Sequence, residues 1–216
     1  MLFFSNNISR KEGEFLVKTL DKLYKKVVAY LANMCYPIIK IVGLGVNSMN
    51  KYSALDIATW FIYKTNAEKK ENQAENDTYE VYEGLTHLKL QKLLYYAQGI
   101  CLSLSGKTLF DEPIEAWDHG PVVKKVFDRF TSKGRNEITI EDAPSSVEVI
   151  RQIESDTVVR EALNLTYDNF AIYTAWQLRN MTHEIGSPWS QIYVHGKNKR
   201  IPNNVIRDYF NNHVME

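Results

Sequence analysis

The chain has 216 residues, of which 44% are hydrophobic, and this suits one domain with a sizeable core. Its 26 basic and 26 acidic side chains balance, which argues against a nucleic-acid-binding protein that works by bulk positive charge. The balance is uneven along the chain, because residues 1–48 hold seven basic and three acidic side chains, a net charge of +4. These are Arg10, Lys11, Lys18, Lys22, Lys25, Lys26 and Lys40 against Glu12, Glu14 and Asp21.

Cysteine usage and hydropathy point to a cytoplasmic protein. Cys35 and Cys101 each lie among apolar neighbours, as buried free thiols do, and they lack partners for a disulfide framework or a cysteine-based zinc site. The start of the chain shows no secretory signal pattern. Residues 27–46 are apolar and about long enough to cross a membrane, but Lys40 lies inside this stretch and Pro37 would break it. We therefore expect no membrane span.

The first predicted element is an amphipathic helix over residues 12–34, in which leucines recur at helical spacing opposite lysines. Pro37 and the glycines at 43 and 45 end this region. From Met49 onwards the sequence looks like the start of a protein. We expect residues 1–48 to form a basic amphipathic extension and residues 49–216 to form the main domain.

The main domain is predicted to open with two helices. Ser53 caps a short helix, and the following residues 66–80 contain almost no large apolar side chain, which favours a solvated linker or a frayed helix end. Thr86 then caps the strongest helix of the chain, which Gly106 ends. Leu94 lies in the middle of the apolar face of this helix, so that face is the predicted core.

A short strand and a further helix are predicted next. Residues 113–117, PIEAW, alternate in polarity as a strand does. Gly120-Pro121 is predicted to start a helix, because proline suits the first helical position, where its missing N–H costs nothing. Valines and phenylalanines up to Phe130 supply the apolar side of that helix, and Gly134 ends it.

The remainder of the chain is predicted to be helical after a short extended piece at residues 136–144. The predicted helices begin near Ser146, Val158, Thr174, Pro188 and Pro202. The fold class is therefore mainly α: a compact single helical domain with one or two short strands, plus the N-terminal helical extension.

One candidate site is EAWDHGPVV, residues 115–123, in which Asp118 precedes His119. Such a pair suggests acid–base chemistry, but the GxSxG nucleophile turn is absent and adjacent residues do not make a triad by themselves. We favour a structural interpretation, in which Asp118 accepts N–H groups at the positive end of the helix predicted to start at Pro121.

The second candidate is MTHEIGSPW, residues 181–189. His183-Glu184 matches the start of a zinc-binding HExxH helix, but Ser187 stands where the second histidine is needed. The simpler interpretation is that Thr182 and His183 hydrogen-bond around a helix end while Trp189 packs beneath them. Phosphate-binding glycine motifs are absent from the sequence, and we expect no cofactor.

The two candidates share a pattern. Each places a histidine beside an acid, then a glycine or serine and a proline, with Trp117 or Trp189 close by. Because tryptophan is a large amphipathic anchor and is enriched at binding hot spots, the pattern indicates protein binding. His119 and His183 could still meet and bind a metal with an acid, so a small metal-dependent hydrolase remains an alternative.

From residue 52 onwards the chain resembles the Panacea antitoxin domain, a family also described as SocA-like and as phage-associated GepA-like. The segments that carry the resemblance are YSALDIATWFI at 52–62, LTHLKLQKLLYYAQG at 85–99, LFDEPIEAWDHGPVVKKVFDRF at 109–130, LRNMTHEIGSPW at 178–189 and IPNNVIRDYF at 201–210. Residues 1–48 fall outside the resemblance.

The resemblance implies a mainly helical domain, without an active site, that neutralises a toxin encoded beside it. The shared-motif residues by position are Trp117, Gly120, Pro121, Thr182, His183, Pro188 and Trp189, whereas Asp118 and His119 occupy variable positions of the turn. One member of the family delivers its toxin to a bacterial protease, so a protease is a second conceivable partner.

The expected partner is thus a cognate protein toxin, with metal, nucleic acid and membrane all disfavoured. A phage regulatory DNA-binding protein remains a further alternative. Residues 1–48 could be a toxin-specific arm, a part of the core or an upstream stretch translated from an early start.

Overall fold

The computed structural model describes residues 52–75 and 84–215, and this part of the chain contains eight α-helices and a small sheet. The helices are α1 (Ala54–Glu75), α2 (His87–Ser105), α3 (Lys124–Phe130), α4 (Val147–Ser155), α5 (Thr157–Phe170), α6 (Ala175–Thr182), α7 (Pro188–Ile192) and α8 (Asn203–His213). The strands are β1 (Ile114–Trp117), β2 (Gly120–Val123) and β3 (Lys199–Arg200), and two short 3₁₀ helices span Thr131–Lys133 and Ile140–Asp142. The mainly α fold class is confirmed.

Helix α2 is the centre of the domain. It contacts α1, α3, α5, α6, α8 and β2, and all of its residues except Leu88 and Ser105 are buried or nearly so. The Thr86 hydroxyl accepts the N–H of Lys89 at its start, and Gly106 ends it in the left-handed region with φ +73. Leu94, predicted as core, is fully buried.

The sheet has the strand order β2-β1-β3, with both pairs antiparallel. Strand β1 was predicted, and its alternation is confirmed, since Ile114 and Ala116 are buried while Glu115 and Trp117 are half-buried. The two-residue β3 is an addition that the sequence pattern did not indicate.

The prediction of a helix start at Gly120-Pro121 is wrong. These residues begin β2, and α3 starts only at Lys124. Pro121 lies opposite Ala116, in a position whose N–H would point away from β1, so its missing donor costs no ladder hydrogen bond. An edge strand tolerates proline for the same reason as a first helical turn does, and the dipeptide alone cannot separate the two.

Helix α1 is longer than predicted, because it continues to Glu75 through part of the expected linker. Its second half is rich in alanine, lysine and glutamate, which are strong helix formers, and contains neither glycine nor proline. An ion pair between Lys64 and Glu68 spans one turn. The segment is therefore helical despite its low apolar content.

The later helix starts agree with their predicted caps. Thr174 accepts the N–H of Gln177, and Ser187 accepts the N–H of Ser190 with Pro188 at the first helical position. Cys101 is a buried free thiol, and burial raises its pKa to about 12. None of the described helices is long and apolar enough to span a membrane. The predicted helix at 12–34, the apolar stretch 27–46 and Cys35 lie outside the described residues.

Candidate functional site

Asp118 and His119 form the two-residue turn of the β1–β2 hairpin, and both are exposed. Trp117 pairs with Gly120 across this turn, and Gly120 adopts φ +102, which a residue with a side chain rarely adopts. A Cβ at Gly120 would lie 2.7 Å from the Lys92 amine and 2.9 Å from the Thr182 hydroxyl. Glycine is therefore required here both for its conformation and for its lack of a side chain.

Two side chains of α2 cover the outer edge of β2. The Lys92 amine donates to the carbonyl of Pro121 over 2.9 Å, and the amide oxygen of Gln91 accepts the N–H of Val123 over 2.8 Å. Because these backbone groups point away from β1, they would otherwise be buried without partners. The central helix thus completes the hydrogen bonding of this strand.

The second candidate segment forms the tight connection between α6 and α7. The hydroxyl of Thr182 donates to the carbonyl of Arg179, and Nδ1 of His183 lies 2.7 Å from the same oxygen. Ser187 donates to the carbonyl of Thr182 over 2.8 Å. The interpretation that Thr182 and His183 satisfy a helix end is confirmed.

Direct contacts join the two segments into one corner, which we call the motif corner and define as residues 117–121 and 182–193. The indole N–H of Trp189 donates to the carbonyl of Trp117 over 2.8 Å. Nε2 of His183 lies 3.4 Å from the carbonyl of Asp118. The fold therefore brings together the shared-motif residues of both segments.

Three rings are in contact across the motif corner. The ring centroids of His183 and Trp189 lie 3.7 Å apart, and those of Trp189 and Tyr193 lie 4.4 Å apart. The hydroxyl of Tyr193 donates to the Asp118 carboxylate over 2.9 Å, and His195 lies 3.4 Å from the same oxygen. Asp118 thus binds tyrosine and histidine side chains rather than the predicted helix N-terminus, which corrects that interpretation.

The line of contacts runs from the buried ring of Trp189 to the exposed ring of Trp176 on α6. The guanidinium of Arg179 lies 4.8 Å from the ring centre of Trp176, whose side chain is 57% exposed. Arg179 and His183 are one turn apart, so Trp176, Arg179, His183, Trp189 and Tyr193 form one line of contacts, which we call the aromatic ridge. The ridge combines the apolar rings of its aromatic members with the hydrogen-bonding nitrogen atoms of Arg179 and His183.

Burial dominates the electrostatics beneath the corner. Burial, together with the nearby charge of Arg179, lowers the pKa of Lys92 to about 7. Burial also lowers the pKa of His183. At the surface, the hydrogen bond from Tyr193 holds the pKa of Asp118 below its ordinary value. A buried amine with a lowered pKa thus lies directly under the turn that the motif residues build.

The corner brings together some of the candidate residues for chemistry but not others. His183 approaches the backbone of Asp118, whereas His119 stands exposed at the tip of the turn. Among the described residues, no group of three or more histidine, cysteine, aspartate or glutamate side chains is arranged to hold a metal ion. What the corner does contain is a set of packing contacts and hydrogen bonds around Trp117 and Trp189.

Several participants were not singled out from the sequence, namely Gln91, Lys92, Trp176, Arg179, Tyr193 and His195. Lys92 gave no signal of its own, because a lysine on an amphipathic helix is ordinarily expected on the solvated face. Trp189 and Tyr193 have the one-turn spacing at which rings stack on a helix.

Comparisons with known proteins agree with this arrangement. The family model "Antitoxin SocA-like, Panacea domain" matches residues 90–190, a range that includes Lys92 and both motif segments. A curated relative, antitoxin SocA of Caulobacter vibrioides (strain NA1000 / CB15N), is 31% identical over 135 residues, which are 58% of this chain and 72% of the relative. No solved structure matches the chain. The chain therefore belongs to the SocA-like Panacea antitoxin family.

Proposed function

We propose that this chain is an antitoxin that neutralises a toxin protein, encoded by a neighbouring gene, through direct binding at the motif corner and the aromatic ridge. The observation that carries the proposal is the exposed ring of Trp176, which lies against Arg179 next to the buried corner where the two shared segments converge. Family membership supports the antitoxin role. The surface offers aromatic and arginine side chains, which are the types enriched at protein-binding hot spots.

The mode of action follows from the nature of this surface. Trp176 presents a planar ring to solvent, with the half-buried Arg179 beside it, on a helix that α2 and β2 hold in place. Because these elements are anchored in the core, little ordering entropy is lost when a partner binds them. Neutralisation in this view is occupation of the toxin, and it needs no catalytic step by the antitoxin.

Co-expression with the product of the adjacent gene tests the function. Expression of that product alone should arrest growth, and co-expression of this chain should restore it. The two purified proteins should also form a stable complex. An adjacent product that is harmless alone, or that forms no complex, would contradict the proposal.

A surface variant tests the location of binding. Trp176→Ala should weaken the complex by about tenfold or more while leaving the melting temperature unchanged, because the ring is mostly exposed. Val147→Ala, on α4, is the matched control, since Val147 is 46% exposed and does not belong to the ridge. Equal affinities for both variants would place the binding surface elsewhere.

Delivery of the toxin to a cellular protease is a separate step that we include in the proposal. It predicts that the toxin level falls on co-expression in a protease-proficient host and is restored when the protease gene is deleted. A constant toxin level with full rescue would show that binding alone suffices.

A further inference from the structure

The structure has a second surface feature, which lies beside the motif corner. Residues 195–200, HGKNKR, connect α7 to α8 and contain β3, and all six are exposed. Lys197, Lys199 and Arg200 lie within four consecutive positions, and none of the ion pairs between described residues involves them. We call this segment the basic edge. It concentrates three positive charges in a chain whose net charge is zero.

The basic edge also has unused backbone groups. Ile201 donates its N–H to the carbonyl of Ile114, so these two residues form a hydrogen-bonded pair. In an antiparallel ladder such pairs alternate with non-hydrogen-bonded ones, and Arg200 opposite Glu115 is therefore of the second kind. The N–H and C=O of Arg200 consequently point away from β1. Within the described residues no strand lies on that side, because the order is β2-β1-β3.

The two edges of the sheet are thus treated differently. Gln91 and Lys92 bind the outward backbone groups of β2, whereas no side chain of the described residues is hydrogen-bonded to the outward groups of Arg200. Natural sheets often protect an open edge with lysine and arginine, which repel other copies of the same edge. The same charges attract an acidic strand.

The basic edge is continuous with the aromatic ridge. His195 lies 3.4 Å from Asp118, and the hydroxyl of Tyr193 lies 3.3 Å from Nδ1 of His195. A partner that covers the ridge at Tyr193 therefore reaches the edge within a few residues of extended chain.

We propose that the open edge of β3 binds an extended acidic segment of the toxin, which pairs with the backbone of Arg200 and places carboxylates against Lys197 and Lys199. This inference rests on the proposed function. Because β3 is only two residues long, the charges supply most of the attraction and the backbone pairing fixes the register.

One observation favours an acidic protein segment over a nucleic acid. The outward N–H and C=O of Arg200 form a donor–acceptor pair that matches a peptide strand, whereas phosphates only accept hydrogen bonds.

A charge reversal tests the electrostatic part in the full chain. Lys197→Glu/Lys199→Glu/Arg200→Glu should weaken binding to the product of the adjacent gene by about tenfold or more at low salt. The difference should shrink at about 500 mM salt, where exposed charges are screened. Lys124→Glu/Arg135→Glu/Arg151→Glu is the matched control, because it makes the same change of charge at exposed positions elsewhere.

The outcomes separate this inference from the proposed function. If the unmodified chain does not bind the adjacent product, the proposed function fails. If it binds and the charge reversal binds equally well, or weakens only as much as the control, the basic-edge inference alone is overturned. Salt-sensitive binding of a fluorescent DNA duplex, lost in the charge reversal while toxin binding persists, would overturn it in favour of nucleic acid.

A second pair of variants tests the backbone pairing. Arg200→Gln removes the charge and keeps the N–H, whereas Arg200→Pro removes both, and an edge strand tolerates proline. We expect the proline variant to bind several-fold more weakly than the glutamine variant at the same melting temperature. Equal affinities would overturn strand addition.

Discussion

The indole N–H of Trp189 donates to the main-chain carbonyl of Trp117, which lies 72 positions earlier in the chain. This bond fastens α7 to the end of β1 and closes the motif corner. Trp189→Phe keeps a ring in place but removes the donor, so we expect a loss of about 1–3 kcal/mol of unfolding free energy in chemical denaturation. Tyr193→Phe removes an exposed hydrogen bond to Asp118 and should change the stability by less than about 0.5 kcal/mol. Similar losses for both variants would contradict an anchoring role for Trp189.

Gly120 is expected to tolerate no side chain. Gly120→Ala would combine an unfavourable φ of +102 with a Cβ 2.7 Å from the Lys92 amine, and should cost about 2–4 kcal/mol. Gly106→Ala is the control, because Gly106 has φ +73 but nothing within 4 Å of its Cβ position. Thermal melting of the two variants should therefore separate the steric cost from the conformational one. Equal shifts in melting temperature would show that the short contact with Lys92 adds no cost.

The buried amine of Lys92 predicts a pH-dependent stability. Its pKa is about 7 in the folded state and 10.5 ordinarily, so between these values the unfolded chain binds more protons and the free energy of unfolding rises with pH. The cost of burying the charge is fully present below about pH 7 and disappears as the pH approaches the ordinary value.

Lys92→Met removes this dependence. The stability difference between the unmodified chain and the variant should change by up to about 1.4 kcal/mol per pH unit, in favour of the unmodified chain as pH rises. Denaturation curves at several pH values measure it. Parallel pH profiles of the two proteins would show that Lys92 titrates normally.

Leu94 tests whether α2 is the centre of the core. Leu94→Ala leaves a cavity in a fully buried position and should cost about 2–5 kcal/mol, measured by thermal or chemical unfolding. Val147→Ala, at a largely exposed position, should stay within about 0.5 kcal/mol. An unchanged melting temperature for Leu94→Ala would mean that the helix is peripheral.

A chain that starts at Met49 addresses the N-terminal extension. We expect it to fold with a cooperative melt, because α2 is buried by contacts within residues 52–215. Rescue from the adjacent toxin then separates the remaining possibilities. Folding with lost rescue would identify residues 1–48 as a recognition arm, folding with full rescue would make them dispensable, and aggregation would show that they complete the core.

Sequence reasoning was most successful where the cause is local. The caps Thr86, Thr174 and Ser187 act on N–H groups three residues away, so a short pattern is sufficient to predict them. The Gly120-Pro121 prediction failed because the deciding partners, Gln91 and Lys92, lie about 30 positions earlier.

The motif corner itself shows the same limit. Similar patterns in the two segments suggested related roles, but their contact through Trp189 and Trp117 depends on how α7 packs against the hairpin. The family resemblance supplied that link, because it required both segments to occur together.

The unequal edges of the sheet limit how this protein can assemble. The outer side of β2 is occupied by side chains of α2, and the outer side of β3 is open in the part of the chain that the structure describes. Growth of a sheet into a filament requires two free sides per molecule, whereas one free side allows a single addition and then stops. Two copies joined through β3 would form a closed two-fold pair, which the charges of Lys199 and Arg200 disfavour. Pairing through the open edge therefore joins each chain to one partner and does not extend into a filament, whatever the protein concentration.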